Sequence, residues 1–213
     1  MLTGERRGVL CLRLLKRLLE EGLLITREEA SGYEECLRLL SEGGGAVELG
    51  GRVKVLPEGF LMLLKQAVES GISLETVFKA VNWRGFERII AEVFRAKGFR
   101  VLEHFRFSIK GVAREIDVLV ETPRMLLSID CKQWIRRNYN VSSASRLQLE
   151  RSRLLSSYLS EKESVRKAVY PVVVTFLDSE ARILNGCLIL PVWKIGEFSE
   201  NPEVVKSVLN PVS

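Results

Sequence analysis

Residues 77–213 predict an α/β domain on a mixed sheet, and residues 1–76 predict a smaller, mainly helical domain ahead of it. Three observations carry this reading. From Arg84 an amphipathic stretch leads into three strand-like apolar runs, a long helical stretch and two further apolar runs. The first part of the chain instead strings short helical stretches before a single Gly-Gly hairpin. Charge divides in the same way: residues 1–81 carry 11 Lys+Arg and 12 Asp+Glu, whereas residues 82–213 carry 21 and 15. An acidic polymer would therefore meet the second part first.

In chain order, Cys11, Leu14, Leu15, Leu18 and Leu19 recur at helical spacing over residues 5–21, and Gly22 ends the run. Thr26 and Glu29 have the spacing of a capping box for a second, short helix. Tyr33 to Ser41 predicts a third, stopped by Gly43, Gly44 and Gly45. "AVELGGRVKVLPEG" alternates about a Gly-Gly turn, the pattern of a hairpin, and Pro57 to Ser70 predicts a closing helix. Residues 71–81 read as a connection with a short helix from Ser73. Next, "RGFERIIAEVFRAKG" aligns Phe86, Ile89, Ile90, Val93 and Phe94 on one stripe, with Gly98 as its stop. Phe99 to Ile109, Glu115 to Val120 and Met125 to Lys132 suit strands joined by "KG" and "ETPR" turns. A helix over about Ala144 to Leu159 precedes the runs "YPVVVTFL" and "GCLILPV". The result is a mixed sheet covered on both faces.

Composition narrows the class. A chain of 213 residues with 46% hydrophobic and 28% charged residues suits a globular protein, and charge interrupts every apolar stretch. The N-terminus lacks the ordered zones of a signal peptide, so a cytoplasmic location without membrane contact is expected. Cys11, Cys36, Cys131 and Cys187 form no Cys-x-x-Cys pair, and all four read as reduced core residues.

Only three aspartates occur, and two, Asp117 and Asp130, sit in adjacent strand-like runs. Alternation puts Ser128, Asp130 and Lys132 on one strand face and Ile129 and Cys131 on the other. The short turn between the runs brings Asp117 laterally within reach of Asp130. Two carboxylates at one spot repel unless a cation joins them, and oxygen-only ligands suit Mg2+ or Mn2+. A lysine beside such an ion can position a water while the ion stabilises phosphoryl charge.

On these residues the chain resembles the PD-(D/E)xK nuclease superfamily, especially its restriction-endonuclease-like Mrr branch and the archaeal Holliday-junction resolvases. "RGFERIIAEVFRAKGFRV" is similar to the family's first helix, with Glu87 facing the site. Asp117 in "EIDVLV" matches its first aspartate, and "IDCKQW" its acidic-x-Lys strand, with Trp134 where relatives often carry an aromatic residue. Gln148 and Arg151 are similar to a polar pair that some members aim at the site, on the same helix side as Leu147, Leu155 and Tyr158. The likeness spans about residues 82 to 195. It implies a restriction-endonuclease-like α/β/α core with a mixed central sheet, acting as a metal-dependent DNA endonuclease. Asp117, Asp130 and the Cys131 carbonyl would hold Mg2+ or Mn2+, Glu87 would hold a coordinated water or second ion, and Lys132 would orient the nucleophile. Many relatives have Glu where Asp130 stands, and a glycine-rich approach where this chain reads "KGVAREID".

The first domain resembles a winged helix in its element order. Glu34 and Glu35 on its third helix suit a protein partner or homodimer better than a polyanion. Arg136 and Arg137 in "WIRRNYN", with Arg151, are candidate DNA contacts. His104 is the lone histidine and reads as a surface strand residue. Trp83 and Trp193 read as packing residues. The alternatives are a nuclease fold that binds DNA without cutting it, and a winged-helix transcription regulator with a C-terminal dimerisation or sensor domain.

Overall fold

The computed structural model describes residues 4–133, 140–162, 167–176, 178 and 180–212. The chain divides into two compact units, Met1–Ile89 and Ile90–Ser213. The division falls inside a helix, where a continuous apolar stripe leaves no composition break for the sequence to signal.

In the first unit the order is α1 (Gly4–Glu21), β1 (Leu24–Thr26), α2 (Arg27–Ala30), α3 (Glu34–Glu42), β2 (Ala46–Leu49), β3 (Arg52–Val55) and α4 (Pro57–Glu69). The α1 stripe is buried as its spacing requires, with Leu14, Leu15 and Leu18 packed inside with Leu40, Phe60, Leu63 and Leu64. The capping box forms: Thr26 Oγ1 accepts from the Glu29 N–H at 3.3 Å, and Glu29 Oε2 accepts from the Thr26 N–H at 2.8 Å. β2 and β3 make the expected antiparallel hairpin, and β1 adds to β3 in a sheet of order β1-β3-β2. β1 escaped the sequence reading because three residues carry too little alternation to register as a strand.

The cysteine expectation needs correction. Cys11 on α1 and Cys36 on α3 are fully buried and joined by a disulfide, with Cα atoms 5.5 Å apart. Cys131 and Cys187 are the free thiols. Cysteines 25 residues apart give no spacing signal; only the packing of α3 on α1 brings them together.

α5 (Leu74–Ala96) bends at Asn82, whose φ of 42° and ψ of 173° are non-helical. Asn82 Oδ1 accepts from the Gly85 N–H at 2.9 Å, so it caps the N-terminus of the second helical segment. That segment buries Phe86, Ile89, Ile90, Val93 and Phe94 as predicted.

The second unit continues with β4 (Arg100–Ile109), β5 (Val112–Glu121), β6 (Met125–Lys132), α6 (Val141–Lys162), β7 (Ala168–Thr175), β8 (Arg182–Leu184), β9 (Cys187–Pro191) and α7 (Ile195–Glu200). The sheet order is β4-β5-β6-β7-β9-β8. β4, β5 and β6 are antiparallel neighbours, β6, β7 and β9 run parallel, and β8 is an antiparallel edge. This is the mixed α/β sheet that the sequence predicted. Toward α6, Leu119, Leu126, Leu155 and Val169 form one core cluster. The alternate residues Val118, Val120, Leu127, Ile129, Val172 and Val174 are equally inaccessible, so β6 and β7 are buried on both faces. The sequence reading missed β8 and α7; Phe198 of α7 packs edge-to-face on Phe94 at 6.3 Å. No helix among the described residues is long and apolar enough to cross a membrane.

Two outcomes check this architecture. A thiol reagent should count two cysteines in the denatured, unreduced chain and all four after reduction. Gly59 on α4 faces the Gly45 carbonyl, and an added methyl would collide with that oxygen and approach Val55 Cγ1 to 2.8 Å. Gly59→Ala should therefore cost about 1–3 kcal/mol in a urea melt.

Candidate active site

β5 and β6 pair from Glu121 opposite Leu126 to Val118 opposite Ile129. Continuing that register sets Asp117 opposite Asp130 on the same sheet face. The backbone ladder stops one pair short, and the Asp117 side chain takes over: its Oδ2 accepts from the Cys131 N–H at 2.8 Å. On the other side, the pairing of β4 with β5 passes from Glu103 opposite Val118 to Phe105 opposite Ile116, omitting His104 and Asp117. His104 has φ of 51° there, a conformation rare outside glycine. Both ladders thus lapse at Asp117, which leaves its carboxylate beside Asp130 where the strands part.

Asp130 is deeply buried, its side chain 3% exposed. Lys132 Nζ lies 2.9 Å from Oδ1 and 2.7 Å from Oδ2. Arg151 Nη1 donates to Oδ1 at 2.8 Å. A carboxylate buried this deeply is costly unless paired, and two cations supply the pairing. The strand alternation that placed Asp130 and Lys132 on one face is realised.

α6 is fixed over this face by Gln148. Its Nε2 donates to the Ser128 carbonyl at 2.7 Å and to Ser128 Oγ at 3.0 Å, which aims Oε1 at Arg151 Nη1, 3.3 Å away. Gln148 and Ser128 are both buried. Ser128, Gln148, Arg151 and Asp130 form one hydrogen-bonded relay from β6 through α6 and back to β6. The sequence reading gave Arg151 both as one of a polar pair aimed at the site and as a DNA contact; in the structure its guanidinium pairs with Asp130. Leu147 was expected on the inner side of α6 but is 57% exposed, because the buried stripe runs through Ala144, Ser145, Gln148, Ser152 and Leu155.

The burial of Asp117 and the charge of Asp130 raise its pKa above the ordinary 3.8, while the Cys131 N–H, Lys132 and Arg151 offset part of that rise. Glu87 is 3% exposed on α5 and belongs to the first unit. Trp134, Arg136 and Arg137 lie outside the described residues. His104 is a partly exposed strand residue whose Nδ1 lies 3.2 Å from Glu115 Oε1. Trp193 packs on Phe176 at 4.9 Å between ring centroids, as a packing residue should. Trp83 is 52% exposed, with the Arg84 guanidinium 5.3 Å from its ring centroid.

One group was missed. Thr175, in register with Lys132 at the end of β7, donates to Asp178 Oδ2 at 2.8 Å, and Asp178 also pairs with Arg182. All three parallel strands end here, with Lys132, Thr175 and Pro191 aligned. The signal available was general: open sheets gather polar function beyond the C-terminal ends of parallel strands.

No family model matches the chain. A protein from Archaeoglobus fulgidus, described as uncharacterized, is 29% identical over 121 residues, covering 57% of this chain and 92% of that one. Among solved structures, protein VC1899 from Vibrio cholerae aligns with a TM-score of 0.40 and 15% identity, over 97% of this chain and 54% of that chain. Can2 from Sulfobacillus thermosulfidooxidans, in complex with cyclic tetra-adenylate, aligns with a TM-score of 0.39 and 12% identity, over 92% and 50%. This chain spans about half the length of either solved structure.

Asp117 makes the fold sensitive to pH. With its folded pKa above 3.8, the fold favours the protonated form. That contribution is full below the ordinary carboxyl range and is lost as pH rises through the raised value. Asp117→Asn keeps an acceptor for the Cys131 N–H and removes the repulsion. It should raise the melting temperature at neutral pH by about 2–4 °C and flatten its pH dependence across that window.

Proposed function

We propose that this chain is a metal-dependent DNA endonuclease of the PD-(D/E)xK superfamily, with a winged-helix-like module at its N-terminus. The observation that carries the reading is the placement of Asp117 and Asp130 opposite one another across β5 and β6, with Lys132 on the same face. This is the carboxylate, carboxylate and lysine set that the sequence resemblance implies. The mixed six-stranded sheet supports the α/β core that this resemblance implies.

The residues present fit Mg2+ or Mn2+. Among the described residues no three His, Cys, Asp or Glu side chains form a cage. Mg2+, however, is commonly held by one or two carboxylates with water and substrate phosphate completing the shell. Asp117 and Asp130 would be those carboxylates, with the Cys131 carbonyl as a third oxygen. A divalent ion held there would supply charge stabilisation at the scissile phosphoryl group and acidify a water. Lys132, 29% exposed and tethered to Asp130, would present its ammonium to the reacting phosphate. Arg136 and Arg137 would contact the DNA backbone, in keeping with the basic excess of residues 82–213. Glu34 and Glu35 suit the N-terminal module to a protein partner or second copy.

A second reading, a nuclease fold that binds DNA without cutting it, is favoured by the ion pairs that already engage both oxygens of Asp130. The two are separated by incubating the full chain with labelled duplex, single-stranded, flap and four-way-junction DNA, with Mg2+, with Mn2+ and with chelator. Cleavage that requires the metal and falls at least about a hundredfold in Asp130→Asn, with DNA binding kept or tightened, supports the endonuclease. Binding without metal-dependent cleavage on every substrate supports the second reading.

A further inference from the structure

The Asp130 carboxylate already has a full set of charge partners. Lys132 spans both of its oxygens, and Arg151 takes Oδ1, the oxygen that Lys132 approaches from the farther distance. With Asp117 alongside, the cluster holds two carboxylates and two cations in a largely buried setting. A divalent ion added with every partner in place would leave two uncompensated positive charges there, an arrangement that burial makes unfavourable. One resident cation must leave Asp130, or an anion must arrive with the metal.

Arg151 is built to be the one that leaves. Lys132 reaches Asp130 from two residues away on the same strand, whereas Arg151 reaches it across the sheet face from α6. Its Nη1 has a second acceptor, Gln148 Oε1 at 3.3 Å, which Ser128 holds in place. The side chain is 26% exposed, so the guanidinium has a path toward solvent. A phosphodiester offers two oxygens that a guanidinium can engage at once.

Resting on the nuclease reading, we infer that Arg151 is a resident counter-ion which Asp130 exchanges for the divalent cation when a DNA phosphate arrives to take the guanidinium. Metal and DNA then bind with positive coupling. The site is held in a low-affinity state for metal until substrate is present, and by linkage the metal tightens DNA to the same degree. Arg151 acts here as a positioning residue through Asp130, with Gln148 as its second anchor.

The test measures Mn2+ binding to the full-length chain by the electron paramagnetic resonance of the free ion, with and without a short oligodeoxynucleotide. A gel on the same samples records whether the strand is intact. Arg151→Gln should bind Mn2+ about five- to a hundredfold more tightly than wild type without DNA, the usual span of a coupling between two sites. Adding the oligonucleotide should tighten Mn2+ binding to wild type by a similar factor and leave Arg151→Gln unchanged. Arg151→Lys, which keeps the charge, guards against a folding defect and should bind Mn2+ about as weakly as wild type without DNA. A folded Arg151→Gln that binds Mn2+ no more tightly than wild type, or shows the same gain with DNA, overturns the inference while leaving the endonuclease reading standing. Absence of Mn2+ binding in wild type and every variant, with the oligonucleotide as well as without it, overturns both.

Discussion

The second unit is organised around one costly group, the carboxylate of Asp130 on a strand buried on both faces. Ionised, it needs cations close by, and they must come from where the backbone can supply them. Alternation along β6 brings Lys132 to the same face. The second cation has to come from the helix above, so the register of α6 on the sheet is set by Arg151 as well as by the apolar contacts of Leu155. Gln148 makes that register specific. Its amide satisfies Ser128 and orients the arginine in one step, and a shift of α6 by a single residue would leave buried polar groups unmatched on both elements.

Asp117 adds a second strain on the same spot. The lapse of both ladders at this residue releases the backbone from regular pairing, and the side chain recovers one hydrogen bond by capping the Cys131 N–H. His104 absorbs part of the distortion in an uncommon backbone conformation. Interrupted pairing, a pKa pushed up by burial and a like charge, and a neighbour whose cations are already committed belong together. Together they concentrate incomplete pairing and unfavourable electrostatics at one place in the second unit.

The first unit is ordered by different means. Its apolar stripe on α1 and the capping box of α2 are local devices, and Gly59 lets α4 approach the Gly45 carbonyl before β2. The Cys11–Cys36 bond ties α1 to α3 across its core. The basic excess of the chain also lies in residues 82–213, with the buried carboxylates of β5 and β6.

Most of the secondary structure was legible in the sequence, because apolar period, glycine stops and caps are written in neighbouring residues. The helix with Phe86 to Phe94, the strand Met125–Lys132 and the hairpin about Gly50 and Gly51 are of this kind. So was the shared face of Asp130 and Lys132, which follows from strand alternation alone. Short strands such as β1 and β8, the Cys11–Cys36 bond and the outward turn of Leu147 were not legible. Each depends on which elements pack together or how a helix is rotated, and no local pattern encodes that. Tertiary structure alone decided that Asp117 caps the Cys131 N–H, that Ser128 anchors Gln148, and that Arg151 belongs to Asp130. These contacts join residues 14 to 21 positions apart. A single sequence names the groups able to make such bonds, but partner choice is settled only when burial removes water as the competing partner.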